Sequence, residues 1–265
     1  MHTTTLKIGP TRTIPLTIAP GTDAIDLDEV KAFPPFKEWV AALGKEMDES
    51  EVAERVDVRG VVITSVDRFK NNNLGFLKFT ANVQWTDSPR TTLPGIIFSR
   101  GPSVAILLLL YPPPPHPPHA LLTLQPRLAI PSLAFLELPA GMLDGSNQFT
   151  GVAARELEEE CGITVGESDL VDLVGLANGG EGGGVVYPSP GGCDESVRLF
   201  LCRKEVGVEE LRRLEGRRGG LREEGERIEL RVVPVGELWR ATRDMKALAA
   251  LALWERCVRE GLVVG

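Results

Sequence analysis

Glu137-Leu138-Pro139-Ala140-Gly141-Met142-Leu143-Asp144-Gly145-Ser146-Asn147-Gln148-Phe149-Thr150-Gly151-Val152-Ala153-Ala154-Arg155-Glu156-Leu157-Glu158-Glu159-Glu160-Cys161-Gly162-Ile163 reads as a strand end, a glycine loop and a helix. The helix is predicted over Gln148 to Cys161, with Gly162 as its stop because glycine accepts the left-handed backbone that ends helices. At about 100° per residue, Ala153, Ala154, Leu157 and Cys161 share an apolar side. Glu156, Glu159 and Glu160 share another, at the spacing of helical neighbours. Each like-charged pair at that spacing costs a helix roughly 0.2–0.5 kcal/mol. A bound divalent cation is a natural compensator, and all-oxygen ligands favour a hard ion, Mg²⁺ or Mn²⁺.

Glutamate-rich helical faces are common and mostly just solvated, so the carboxylates alone decide nothing. The surrounding order decides more. Gly141 and Gly145 lie in the loop, Arg155 precedes Glu156, and Gly162-Ile163 close the helix. This arrangement resembles the Nudix box: Gly, five residues, Glu, seven residues, then Arg-Glu-U-x-Glu-Glu-x-Gly-U, with U aliphatic. Gly141, Arg155, Glu156, Leu157, Glu159, Glu160, Gly162 and Ile163 fall in register. One position departs, since Asn147 stands where the pattern has its first Glu.

Outward from the box, 265 residues with 43% apolar content can bury a real core in one large domain, or in a domain with a smaller partner. A net charge of −8 argues against nucleic acid held by a basic surface, so an anionic substrate needs local cations, metal or arginine. Cys161, Cys193, Cys202 and Cys257 form no CxxC pair and read as core thiols in a reducing compartment. The histidines are His2, His116 and His119, two of them in a proline run, so a histidine-centred mechanism is not expected. No stretch reaches the ~20 apolar residues of a membrane span. Met1 to Pro20 is Thr-rich without an arginine-rich amphipathic pattern or a secretory signal. An intracellular, cytoplasmic protein is expected, with organelle targeting left open.

Along the chain, short strands are predicted at Leu6–Ile8 and Ile14–Ile18. A helix follows within Leu27–Met47, opened by Asp26 and Glu29 and broken at Pro34-Pro35. Arg59–Phe69 and Leu74–Trp85 read as a hairpin turning at Asn71-Asn72-Asn73, with a further strand at Pro94–Ser99. Val104–Leu110 is a continuous apolar run, a central strand covered on both faces. The proline run Tyr111–His119 is a surface loop, and Ala120–Leu124 and Ala134–Leu138 are strands leading into the box. Leu170–Leu176, Ser196–Cys202 and Glu229–Val233 are read as strands and Val208–Arg213 as a short helix. Gly236–Glu260 is read as one long amphipathic helix offering Leu238, Met245, Leu248, Ala252 and Trp254 to the core. The expected class is α/β, an α/β/α sandwich around a mixed sheet with an N-terminal β-rich accessory region. The accessory region is expected over residues 1–95 and the box-bearing domain over 96–265.

A wider resemblance runs from about residue 55 to the end of the chain. Ser99-Arg100-Gly101-Pro102-Ser103-Val104-Ala105, Glu137–Leu143, Ser189-Pro190-Gly191-Gly192-Cys193-Asp194-Glu195 and Gly236-Glu237-Leu238-Trp239 are similar to the plant ADP-sugar diphosphatases and, more distantly, to the bacterial ADP-ribose diphosphatases of the Nudix hydrolase family. The resemblance implies a Nudix fold, a homodimer, and Mg²⁺-dependent hydrolysis of ADP-glucose or ADP-ribose to AMP and a sugar phosphate. By position it implies metal binding by the Ala140 carbonyl, Glu156, Glu159 and Glu160, with Arg155 bracing the glutamates. It places Arg127 on the substrate, and Arg100, Gly141 and Glu195 are assigned with it. Glu224, flanked by Glu223 and Glu226 in an acidic loop, is the candidate base. A carboxylate there would take the proton of the attacking water, a contribution of roughly 10²–10⁴-fold. The expected partner is a nucleoside diphosphate sugar, with neither nucleic acid nor membrane. Two rival readings stand beside this one: a Nudix scaffold that binds nucleotide sugars without turnover, and a hydrolase for another diphosphate such as a dinucleotide or a coenzyme A derivative.

Overall fold

A computed structural model describes residues 2–22, 25–88, 91–143, 148–180, 183–220 and 227–264. The chain divides into two compact units, residues 1–102 with 189–195, and residues 103–188 with 196–265.

The first unit opens on an antiparallel pair, β1 (Thr3–Ile8) and β2 (Arg12–Ile18). Two helices follow, α1 (Leu27–Ala32) and α2 (Pro34–Glu49), separated where the prolines predicted a break. The Asp26 carboxylate caps α1 by accepting from the Asp28 N–H, and Pro34 begins α2, where no helical donor is needed. The helices carry the chain across to β3 (Val56–Arg68), which lies parallel to β2. β3 then turns through Asn72, at φ 66°, into β4 (Leu74–Trp85). The edge strand β5 (Ile96–Ser99), which the sequence reading left beyond residue 95, pairs with β4 in this same sheet, ordered β1-β2-β3-β4-β5. Phe36, Trp39 and Phe79 pack ring to ring, with centroids 4.8 Å apart for Trp39 and Phe79, and the half-buried Trp39 lies against the core of this unit.

The second unit is built on β6 (Ser103–Tyr111), β7 (His119–Arg127), β8 (Ser132–Glu137) and β9 (Ala140–Met142), followed by α3 (Phe149–Cys161). Next come β10 (Leu170–Asp172), α4 (Leu173–Ala177), β11 (Val197–Glu205), α5 (Val208–Leu214), β12 (Arg218–Gly219), β13 (Ile228–Pro234), α6 (Leu238–Ala241) and α7 (Met245–Arg259). The sheet runs β10-β11-β6-β7-β13-β12, with β8 on β7 and β9 on β6. Among the described residues, only the β11–β6 pairing within it is parallel. Alternation along β6 sends Val104, Ile106, Leu108 and Leu110 to one face, against Val152, Ala153, Leu157 and Cys161 of α3. Ala105, Leu107 and Leu109 go to the other, against Leu173, Leu238, Ala247, Ala250, Leu251 and Trp254. Each such leucine, fully out of water, is worth about 1.5–3 kcal/mol before its entropy cost. Helices thus cover both faces of a mixed sheet, and the expected sandwich is present.

Two expectations are corrected. The strand foreseen over Leu170–Leu176 stops at Asp172, whose carboxylate accepts from the Gly175 N–H at 2.8 Å and starts α4. An aspartate inside a short apolar run acted as a helix cap rather than as a strand residue. The single helix foreseen over Gly236–Glu260 is interrupted by extended backbone at Thr242, and Asp244 caps a new helix. The restart shifts the helical phase. Met245, Leu248 and Ala252 face outward, while Ala247, Ala250, Leu251 and Cys257 join Leu238 and Trp254 inside. Among the described residues no helix is long and apolar enough to cross a membrane. All four cysteines are free, and burial pushes the Cys202 thiol up to about 11 and the Cys161 thiol further.

Candidate functional site

The box helix α3 ends as read. Gly162 takes the left-handed conformation at φ 57°, its N–H donates to the Glu158 carbonyl, and the Ile163 N–H reaches back to Leu157. The three glutamates are not equivalent. Glu160, expected on a polar face, is 4% exposed and lies on the buried side of the helix. Its Oε2 accepts the Ala140 N–H at 3.1 Å. Glu156 is half-buried against β9, and a Cβ built on Gly141 would stand 1.9 Å from its carboxyl carbon. The glycine is therefore needed for close approach. Glu159 is more open, with its Oε1 3.8 Å from Arg155 Nε. Pairing of Ala140 with Ala105 and of Gly141 with Val104 fixes β9 on the central strand, so the two nearer carboxylates meet a rigid backbone.

Among the described residues no group of three or more His, Cys, Asp or Glu side chains is arranged to hold a metal ion. Two of the three expected carboxylates nonetheless converge on the Ala140-Gly141 backbone. Their oxygens fit a hard divalent cation by donor type. A carboxylate as buried as that of Glu160 is costly in a low dielectric, and a nearby cation offsets that cost.

The segment that precedes Glu223 in sequence is held at the same helix. Gly220 donates its N–H to the Glu159 carbonyl at 3.2 Å, and a Cβ on Gly219 would lie 1.9 Å from the Glu160 carbonyl oxygen. The candidate bases Glu223, Glu224 and Glu226 lie outside the described residues, as does Asn147.

A second charged group stands just before the box. Glu137 is 3% exposed, and Arg127 Nε donates to its Oε1 at 2.6 Å. Lys246 Nζ lies 3.3 Å from Glu137 Oε2 and 2.8 Å from Asp244 Oδ1. Asp244, 4% exposed, also accepts the N–H groups of Leu138 and Lys246, each at 3.1 Å. Thr242 closes the arrangement, its hydroxyl donating to the Leu136 carbonyl and accepting the Asp244 N–H at 2.9 Å. Burial works against charge on Lys246, but Asp244 and then Glu137 outweigh it and hold its ammonium above the usual lysine range. The sequence reading named Arg127 but neither Asp244 nor Lys246. The available signal was Thr242-Arg243-Asp244, a helix-cap pattern hidden inside what read as continuous helix.

Arg100 and Glu195 belong to the first unit, where Arg100 Nη1 lies 3.5 Å from Glu195 Oε1. Beside them Asp194 accepts the N–H groups of Arg100 and Gly101 at 2.8 and 3.2 Å and the Ser99 hydroxyl at 2.5 Å. Asp194 is the organiser of this corner, and local sequence gave no hint of it because its partners lie more than ninety positions away. Burial, then the Asp194 charge, raises the Glu38 carboxyl above its ordinary range.

With this geometry in place, comparison with known proteins adds three findings. A NUDIX domain model matches residues 102–253, which takes in Arg127, the whole box and most of α7. The chain is 39% identical over 261 residues to "Nudix hydrolase 14, chloroplastic" of Arabidopsis thaliana, covering 98% of this chain and 82% of that protein. A solved structure described as "Crystal structure of ADP compounds hydrolase" is similar at a TM-score of 0.45 and 14% identity, over 77% of this chain and 97% of its own.

Proposed function

We propose, from the premise that this chain belongs to the NUDIX family and is a hydrolase of that family, that its substrate is an ADP-sugar, ADP-glucose or ADP-ribose, cleaved to AMP and a sugar phosphate. The observation that carries this reading is the convergence of the Glu156 and Glu160 carboxylates on the Ala140-Gly141 backbone. Nudix hydrolases generally use a divalent metal ion, and Mg²⁺, with Mn²⁺ as substitute, is the ion we assign. Glu156, Glu160 and the Ala140 carbonyl would hold it, with Glu159 at the rim beside Arg155. Bound there, it supplies charge neutralisation for the diphosphate and a water of lowered pKa.

The remaining roles fall to side chains. Arg127 is assigned to the diphosphate: its Nε is engaged by Glu137, and its side chain, 43% exposed, is open to phosphate oxygens. Glu224, with Glu223 and Glu226 as neighbours, is assigned as the base that takes the proton of the attacking water. The water oxygen bonds to phosphorus as a bridging P–O bond breaks. The hold of Gly220 on the Glu159 carbonyl supports this choice, because it fixes residue 220, close before Glu224 in sequence, at the carboxylate-bearing turn. Arg100 and Glu195 are assigned to substrate binding. We further assign residues 1–95 as an accessory region that joins two copies into a homodimer, which light scattering would reveal as a mass twice that of the 28.8 kDa chain. The name of the Arabidopsis relative supports a plastid address.

The test is a panel of ADP-glucose, ADP-ribose, a dinucleoside diphosphate and a coenzyme A derivative, followed by AMP release with and without EDTA. AMP from the ADP-sugars that stops on chelation is the expected result. Turnover confined to the other compounds would replace the substrate assignment and leave the family standing.

A further inference from the structure

We propose that Lys246 is a positioning residue for substrate binding, acting from α7 through Glu137 on Arg127. This inference rests on the assignment of Arg127 to the diphosphate. Four charged groups stand in one line: Arg127, Glu137, Lys246 and Asp244, two cationic and two anionic. Three of them have side chains at most 18% exposed, and Arg127, at 43%, is the one that reaches solvent. Glu137 divides its two oxygens between two cations, Oε1 to Arg127 and Oε2 to Lys246. How strongly Glu137 draws on Arg127 therefore depends on how much of its charge Lys246 compensates, and Lys246 in turn is shared with Asp244. Charges this close and this buried are weakly screened, so a change at α7 is felt at the guanidinium.

Without the Lys246 ammonium the line carries a net negative charge, Glu137 holds Arg127 inward, and a diphosphate meets more repulsion. Without the Asp244 charge the line is net positive, Lys246 is given wholly to Glu137, and Arg127 is freer for an anion. A residue with a merely structural role would not move affinity in both directions.

The experiment measures KM and kcat for ADP-glucose and ADP-ribose, with thermal melts in parallel, on Lys246→Met, Lys246→Arg, Asp244→Asn and Arg127→Lys. The expected result is a roughly tenfold rise of KM in Lys246→Met with kcat within about threefold, recovery to within about twofold in Lys246→Arg, and a fall of KM by about two- to threefold in Asp244→Asn. Asparagine still caps a helix through its one oxygen, so α7 keeps its start in that variant, while the Leu138 N–H loses its acceptor and the melts read that loss separately from KM. If Lys246→Met does not fold, Asp244→Asn decides alone: a lowered KM supports the role and an unchanged or raised one overturns it. A raised KM in Arg127→Lys with no change in Lys246→Met overturns the role of Lys246 and leaves Arg127 on the substrate. An unchanged KM in Arg127→Lys removes Arg127 from the substrate, and the inference with it.

Discussion

Two groups of carboxylates bracket the same short stretch of backbone. At its start, Glu137 and Asp244 are matched by Lys246 and Arg127. At its end, Glu156 and Glu160 are brought against Ala140 and Gly141, where Glu160 takes a backbone N–H. The first group carries its own counter-charges on side chains. The second sets its oxygens against the backbone itself, Glu160 on the Ala140 N–H and Glu156 beside Gly141. The two groups thus differ in their partners: one is a neutral ionic joint tying α7 to the box, and the other presents carboxylate oxygens, the donor type that suits a small hard cation.

Substitutions that treat the two groups alike should give different outcomes. Replacing Glu160 by Gln, which keeps size and removes charge, is expected to lower kcat about 10²–10³-fold, the equivalent of several kcal/mol of lost charge stabilisation, while the circular dichroism spectrum is unchanged. A kcat within threefold of the parent would mean that the two groups do not differ as described. Gly141→Ala comes next. Its methyl would occupy the space of the Glu156 carboxyl, so activity should fall and stability drop by about 1–3 kcal/mol, read from urea denaturation. Least in size is a pH effect on the ionic joint. Lys246 has its pKa raised in the folded state, so its contribution is fully present below the ordinary lysine value of 10.5 and is lost as pH rises through the folded value. Melts above pH 10.5 should show a steeper loss of stability in the parent than in Lys246→Met. Parallel slopes would show that the joint contributes little to folding.

What the sequence made legible was local. The box helix, the Gly162 stop and the uninterrupted apolar run of β6 each express backbone and burial rules over a short stretch of chain, and all three appear in the fold. The same reading placed Glu156, Glu159 and Glu160 on one face, because a helical wheel knows spacing but not neighbours. It is contact with β9 that makes Glu160 buried and leaves Glu159 beside Arg155. The aspartate caps at Asp172 and Asp244 were present as letters, yet hydrophobic periodicity outweighed them in the reading, and α4 and the break before α7 were missed. Lys246 and Glu137 stand 109 positions apart and Asp194 and Arg100 94 apart, separations over which no local pattern speaks.

Asp244 begins α7 and, with its other oxygen, grips the peptide N–H of Leu138, two residues before Ala140. The last helix and the first turn of the box are thus one mechanical piece. A shortened chain stopping before Asp244 would retain every letter of the signature and lose the clamp that keeps its entrance in register. Searching for a minimal active fragment by motif alone would cut through that clamp.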